Sequence, residues 1–180
     1  MTSFIINAHV NRQVTPDWRD TSHCPFCYII QGSSSAHRVY EDDKVVAILD
    51  ILPLRPGHTL VIPKIHCPRL SDLPPDFAAA VGQAVSKVAH ALTQALDNTA
   101  LNVVCNQEYA QAVPHVHYHI IPAPTFGQSS NGGKGVEHVE KTLSTGLFAC
   151  KDMHQREFES RSELDDDDGD ALAAKIRARL

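Results

Sequence analysis

Three histidines within five residues are the part of this sequence best equipped for chemistry. His115, His117 and His119 alternate with Val116, Tyr118 and Ile120. Successive side chains of an extended strand point to opposite faces, so the imidazoles share one face and the apolar residues share the other. A row of imidazoles makes a poor core, because each ring nitrogen needs a partner once it is buried. Two chemistries want such a row. One is metal ligation, in which histidines two apart on a strand point nitrogens at one ion. The other is nucleophilic attack on phosphorus. An imidazole is a good nucleophile near neutral pH when one nitrogen is held as N–H and the other is bare. Its neighbours then donate to the phosphate oxygens as charge develops. The strand by itself leaves both open.

The flanking pattern supplies a scaffold. Val39-Tyr40 and Val45–Leu49 are β-rich pieces separated by Glu41-Asp42-Asp43-Lys44, which reads as a hairpin. Pro53, Pro56 and Gly57 force a loop, and His58–Ile62 forms a strand that Pro63 ends. Pro74 and Pro75 precede Asp76 at a helix start. Phe77, Val81, Val85, Val88, Leu92 and Leu96 then mark one apolar face of a long helix ending near Asn98. Leu101–Cys105 and His115–Ile121 are two more strands, and Cys27–Ile30 opens a short helix that stops at Gly32. This order predicts an α+β fold: a five-stranded antiparallel sheet with one long and one short helix.

Outside that core the pattern weakens. Residues 1–23 read as an N-terminal arm, partly disordered, and 24–124 as the folded domain. Residues 125–180 form a C-terminal extension: a flexible Gly-, Ser-, Lys- and Asp-rich linker, an acidic run and a terminal helix. That helix is expected over Ala171–Leu180, with Leu172, Ile176 and Leu180 four apart and the acidic run as a solvated cap at its N-terminus.

Composition narrows the function classes. A chain of 180 residues and 19.8 kDa is one domain with appendages. The net charge is −5, and the six acids between Glu163 and Asp170 leave the rest of the chain near neutral. That balance argues against a nucleic-acid partner. No run approaches the ~18–20 apolar residues of a membrane span, and the first ten residues lack the basic start of a secretory signal. Five cysteines do not resemble a disulfide scaffold. Cys24 and Cys27 are a close pair suited to metal or redox chemistry in a reducing compartment, whereas Cys67, Cys105 and Cys150 read as small apolar residues. A cytoplasmic or nuclear protein is expected.

Several stretches, in order, resemble one known family. They are Cys24-Pro25-Phe26-Cys27, Val39-Tyr40-Glu41-Asp42-Asp43, Ala47-Ile48-Leu49-Asp50, Pro56-Gly57-His58-Thr59-Leu60-Val61-Ile62-Pro63-Lys64-Ile65-His66 and the triad. Together they span about 100 of the 180 residues and resemble the histidine-triad (HIT) hydrolases and transferases. The resemblance looks closest to the nucleoside phosphoramidase branch and its fungal-type members, whose tail resembles Arg161-Ser162-Glu163-Leu164-Asp165-Asp166. It implies that His117 attacks the α-phosphorus and carries the nucleotidyl group. His119 and His115 would support it by hydrogen bonding, and His58 would lie beside the phosphate. Asp50 would hold the ribose hydroxyls, Asn106 would contact phosphate or leaving group, and Ile48 and Leu49 would flank the base. Gln111 survives from a Gly-Gln-Ser/Thr phosphate-contacting segment. Ala112 replaces the hydroxyl of that segment, and the Asn106–His115 loop is short.

The resemblance also implies a structural zinc on Cys24, Cys27, His66 and His115, and a homodimer built on the Phe77–Leu96 helix and the Leu101–Cys105 strand. The implied activity is hydrolysis of P–N or P–O–P bonds at the nucleotide α-phosphate without a catalytic cofactor, as an adenosine 5′-monophosphoramidase. Purine nucleotides would be the substrates, with neither nucleic acid nor membrane as partner. A dinucleoside polyphosphate hydrolase, a nucleotide-binding regulatory protein and a three-histidine zinc hydrolase stand as alternatives.

Overall fold

The computed structural model describes Trp18, residues 21–108, 110–124, Arg156 and 158–180. The rest of the expected arm and the whole Gly-rich linker lie outside the described residues. The elements are α1 (Pro25–Ile30), β1 (Arg38–Glu41), β2 (Val45–Leu49), β3 (Thr59–Pro63), α2 (Pro75–Leu96), β4 (Leu101–Cys105), β5 (Tyr118–Pro122) and α3 (Asp166–Arg177). The strands form one antiparallel sheet in the order β1-β2-β3-β5-β4, the α+β architecture expected from the sequence. No helix among the described residues is long and apolar enough to cross a membrane.

The central strands β2 and β3 are buried along their whole length, because both faces of the sheet are covered. Their period of two still sorts the side chains. Val45, Ala47, Leu49 and Val61 face α2 and α3. Val46, Ile48, Leu60 and Ile62 face Cys24, Phe26 and Cys27 at α1. Pairing of Val46 with Ile62 and Ile48 with Leu60 fixes this register, and a slip of one residue would exchange the two faces.

Several boundaries and faces differ from the sequence reading, among them the start of α1 at Pro25 rather than Cys27. The triad strand begins at Tyr118 rather than His115, and β3 begins at Thr59, one residue after His58. The β3–β5 ladder pairs Val61 with Tyr118 and stops there. Continuing it would place Val116 opposite Pro63, which has no N–H to give. Val116 N–H donates to Cys67 O instead. On α2, Val81, Ala84, Val88, Ala91, Leu92 and Ala95 are buried, while Phe77, Val85 and Leu96 sit at the margin. The alanines let the helix backbone approach the sheet, so the packed stripe is rotated from the one drawn through the large residues.

The terminal helix starts at Asp166, five residues before Ala171. The acidic run is its first turn rather than a linker cap. The Asp165 carboxylate accepts from Asp167 N–H and Asp168 N–H, and carboxylates are favourable beside the unpaired N–H groups of a helix start. Ala173 and Ile176 are buried against α2 and β1, while Leu180 is exposed. His37, just before β1, bonds the Asp170 carboxylate at 2.9 Å and pins the helix to the sheet.

Gly57 closes the turn that delivers His58. Its φ of +87° is left-handed, and a Cβ there would stand 2.6 Å from Leu96 Cδ1 and 3.3 Å from Pro122 Cγ. Left-handed backbone costs a β-carbon-bearing residue roughly 1–2 kcal/mol, and overpacking adds to it. Gly57→Ala should therefore cost about 2–3 kcal/mol and lower the thermal midpoint by about 5–10 °C. An unchanged melting curve would show that the turn relaxes without cost.

Candidate active site

The chemistry of the histidines rests on which ring nitrogen each one exposes, and the backbone decides that. His58 is 3% exposed, and its Nδ1 accepts from Leu54 N–H at 3.2 Å. A nitrogen that accepts carries no proton, so the proton of the neutral ring sits on Nε2. Nε2 lies 2.9 Å from His119 Nδ1 and donates to it. His119 is thereby left with an N–H on Nε2. On the neighbouring residue pair, His117 Nδ1 lies 2.6 Å from His115 O and must donate to it. Its Nε2 therefore carries a bare lone pair. The His117 and His119 rings stand 4.8 Å apart, centroid to centroid. A nucleophilic nitrogen and an N–H donor thus sit side by side. Phe26 of α1 packs its edge-to-face contact on His117 at 5.1 Å and holds the ring in place.

Burial keeps these rings neutral. It pushes His58 down to about 3, with the charges of Arg161, His117 and Arg55 adding to the effect. It pushes His119 down to about 2, with His117 and His58 adding. Burial also lowers His117, against the hydrogen bond to His115 O, which raises it. A neutral His117 is the form that can attack.

A cavity of about 1440 Å³ opens onto the pair, lined by His58, His117, His119, Asp50, Asn106 and Ala112 at its polar end. Ile48, Phe26 and Ile29 line it with apolar side chains, whereas Leu49, expected beside the base, borders the cavity but packs its side chain on the α2 face of the sheet. Asp50 closes β2: its N–H donates to His58 O at 2.9 Å, and its Oδ1 accepts from Leu52 N–H at 2.9 Å. Burial raises the Asp50 carboxyl, while the Leu52 N–H and the Arg161 charge hold it down. A half-sheltered carboxylate of this kind suits a diol.

Gln111 lies elsewhere. It is fully buried and does not line the cavity. Its Nε2 donates to Pro68 O at 2.8 Å and to His115 O at 3.4 Å, and its Oε1 accepts from Glu108 N–H at 2.8 Å. The structure gives it a positioning role: it braces the loop in which Glu108 and Ala110 adopt left-handed φ values of 60° and 57°. An amide beside a phosphate segment looks the same in sequence whether it points in or out. Three contributors had no role in the sequence reading: Phe26 against the nucleophile, and Phe158 and Arg161 of the C-terminal extension, which line the cavity.

His115 faces the other way. Its Nε2 donates to Pro63 O at 2.8 Å, and its Nδ1 lies 3.4 Å from Cys24 Sγ and 3.7 Å from Cys27 Sγ. His66 Nδ1 lies 3.3 Å from Cys27 Sγ, and its Nε2 donates to Trp18 O at 3.1 Å. All four ligand atoms fall within 4.8 Å of one another. Zinc–sulfur and zinc–nitrogen bonds of about 2.3 and 2.0–2.1 Å at tetrahedral angles set sulfur–nitrogen edges of about 3.5 Å, so the group has the size of a zinc site. Both imidazoles anchor their second nitrogen on a backbone carbonyl, as metal-binding histidines do. Burial and the neighbouring Cys24 push the Cys27 thiol up to about 12, and a divalent cation would supply the charge that lets it ionise. Among the described residues the three triad imidazoles do not form such a group, as a three-histidine metal centre would need; the other set of potential ligand atoms within 4.8 Å of one another is Asp50, His58 and His119.

A family model described as the HIT domain matches residues 31–125. An adenylylsulfatase of Arabidopsis thaliana is 42% identical over 101 residues, which cover 55% of this chain and 51% of that protein. The chain thus spans about half the length of that relative. An uncharacterized HIT-like protein of Mycobacterium tuberculosis is 42% identical over 116 residues, 63% of this chain and 79% of that protein. The crystal structure of a zinc-bound histidine triad family protein from Mycobacterium smegmatis superposes with a TM-score of 0.61 at 31% identity, covering 87% of this chain and 92% of that one.

The buried histidines have a consequence for acid stability. An unfolded His binds a proton below about pH 6.5, whereas His58 in the fold resists it down to about 3. The folded value is the lower one, so the unfolded chain gains protons first and stability falls as pH drops through that window. One such group contributes a slope of up to about 1.4 kcal/mol per pH unit. Unfolding free energies measured between pH 6 and pH 4 should fall less steeply for His58→Gln than for the parent, by about 1 kcal/mol per unit. Equal slopes would mean that His58 takes up its proton in the folded state.

Proposed function

Because the chain belongs to the HIT domain family, we propose that it is a nucleotide hydrolase or transferase that works through a covalent nucleotidyl-His117 intermediate. The observation that carries this reading is the 2.6 Å bond from His117 Nδ1–H to His115 O, which leaves Nε2 bare on a ring that lines the cavity. The base lies in the slot between Ile48 and Phe26, and Asp50 accepts the ribose hydroxyls. His117 Nε2 attacks the α-phosphorus, a P–N bond to the nitrogen forms, and the bond to the leaving group breaks. The His119 Nε2–H hydrogen-bonds to the departing atom, which takes its proton from a water molecule as it leaves. The hydroxide so formed cleaves the nucleotidyl-histidine, which releases the 5′-nucleotide and frees His117 Nε2.

The substrate class proposed is the purine nucleoside 5′-phosphoramidates, in particular an adenylate joined to an amine. Adenylyl sulfate is the second reading, favoured by the activity for which the Arabidopsis relative is named. Both substrates expose the same α-phosphorus and differ only in what departs. On this mechanism His117→Ala should lose several decades of turnover on an adenosine phosphoramidate while its melting curve is retained. Substantial residual activity in that variant would remove the covalent step.

We further propose that Cys24, Cys27, His66 and His115 hold one structural zinc. It would tie the chain at Trp18 and the start of α1 to the sheet, and it would steady the residue whose carbonyl orients His117. Purified protein should contain about one zinc per chain. Strong chelation should lower the thermal midpoint, Cys24→Ala should reproduce that loss, and initial rates of chelated but still folded protein should stay largely intact. Metal-free preparations with an unchanged midpoint would refute the assignment.

A further inference from the structure

The C-terminal extension returns to the cavity. Phe158, Arg161 and Leu164 line it, and Leu164 N–H donates to Ile51 O at 2.9 Å, which fastens the segment beside Asp50. Arg161 is held in one pose. Its Nε–H donates to Phe158 O at 3.0 Å, and the guanidinium carbon stands 3.7 Å from the centroid of the Phe158 ring. Stacking on the ring fixes the plane of the guanidinium, and among the described residues Nη1 and Nη2 make no hydrogen bond.

Among the described residues those donors have no acidic partner. Glu163, Asp165 and Asp166 follow closely in sequence, yet among the described residues no carboxylate forms an ion pair with Arg161. The Asp165 carboxylate is committed to the start of α3. A partly buried guanidinium with free donors gains most from a planar or tetrahedral oxyanion that can take two of them at once. Its charge also bears on the two ends of the nucleotide site, because it acts on both Asp50 and His58.

We infer that Arg161 is a phosphate-binding residue of this cavity and that it reaches a phosphate group of the bound nucleotide with its two Nη groups. The inference rests on the nucleotide reading given above. Two phosphates meet the chemistry: the 5′-phosphate beside His58 and His119, or a phosphate carried on the ribose beside Asp50.

The test is calorimetric binding of adenosine, 5′-AMP and adenosine 3′,5′-bisphosphate to the full chain, the Arg161→Gln variant and the Arg161→Lys variant. Arg161→Gln should bind adenosine as the parent does. A charge-assisted hydrogen bond of ~1.5–3 kcal/mol corresponds to a loss of about 10- to 150-fold. A loss of that size for 5′-AMP assigns the contact to the 5′-phosphate. A loss confined to the bisphosphate assigns it to the ribose phosphate. Arg161→Lys should recover part of either loss, because it keeps the charge without the fork. Arg161→Gln binding all three ligands like the parent would overturn the inference, and so would a parallel loss for adenosine. If the parent chain itself binds none of the three, the nucleotide reading falls with it.

Discussion

An imidazole shut away from water must assign both of its nitrogens, and much of this molecule is arranged around that constraint. Three histidines are buried, His58, His115 and His117, and His119 lies half-buried beside them. Each would be costly to bury with a nitrogen unmet. The structure meets the demand with backbone atoms. Leu54 N–H fixes His58, His115 O fixes His117, and Pro63 O fixes His115. Because backbone groups cannot change tautomer, the second nitrogen of each of these rings is left with one defined role. That single requirement makes His117 an acceptor-bearing nucleophile and His119 a donor, and it turns the Nδ1 of His115 toward the cysteines.

The sheet exists in the form needed to supply those backbone atoms. Both central strands are covered on two sides, so their carbonyls and N–H groups are dry and rigid. Where Pro63 ends the β3–β5 ladder, its carbonyl becomes available to His115 and the triad chain departs from sheet geometry. The loop that follows β4 is braced from below by Gln111, which also touches the carbonyl of His115. One carbonyl therefore joins the loop, the nucleophile and the candidate metal site.

The C-terminal extension changes the character of the cavity. Helix α3 docks on α2 and β1 through Ala173 and Ile176, and the segment before it forms part of the cavity wall. Of the acidic residues that dominate the net charge, Asp165 to Asp168 form the cap and first turn of α3 and Asp166 and Asp170 meet His37, while Glu163, Asp165, Asp166 and Asp170 also border the cavity. Phe158 and Arg161 are the members of that segment that meet the site with aromatic and cationic character.

Much of this was legible in the residues themselves. The alternation of His115, His117 and His119 announced a chemical face, and the apolar runs at Val45–Leu49 and His58–Ile62 announced covered strands. The Cys24/Cys27 pair and the terminal helix were visible for the same reason: local period and spacing are properties of neighbours in the chain. Other features were not. The sequence could not say that Gln111 points inward, that the acidic run is helix, that alanines rather than Phe77 and Val85 carry the α2 contact, or that Arg161 meets the cavity. Nor could it say which nitrogen any histidine exposes. Those facts depend on contacts between distant residues, such as Cys24 with His115, 91 residues apart, and Leu164 with Ile51. A residue's type limits what it can do. Its partner across the fold selects which of those things it does, and that partner is chosen only when the sheet closes.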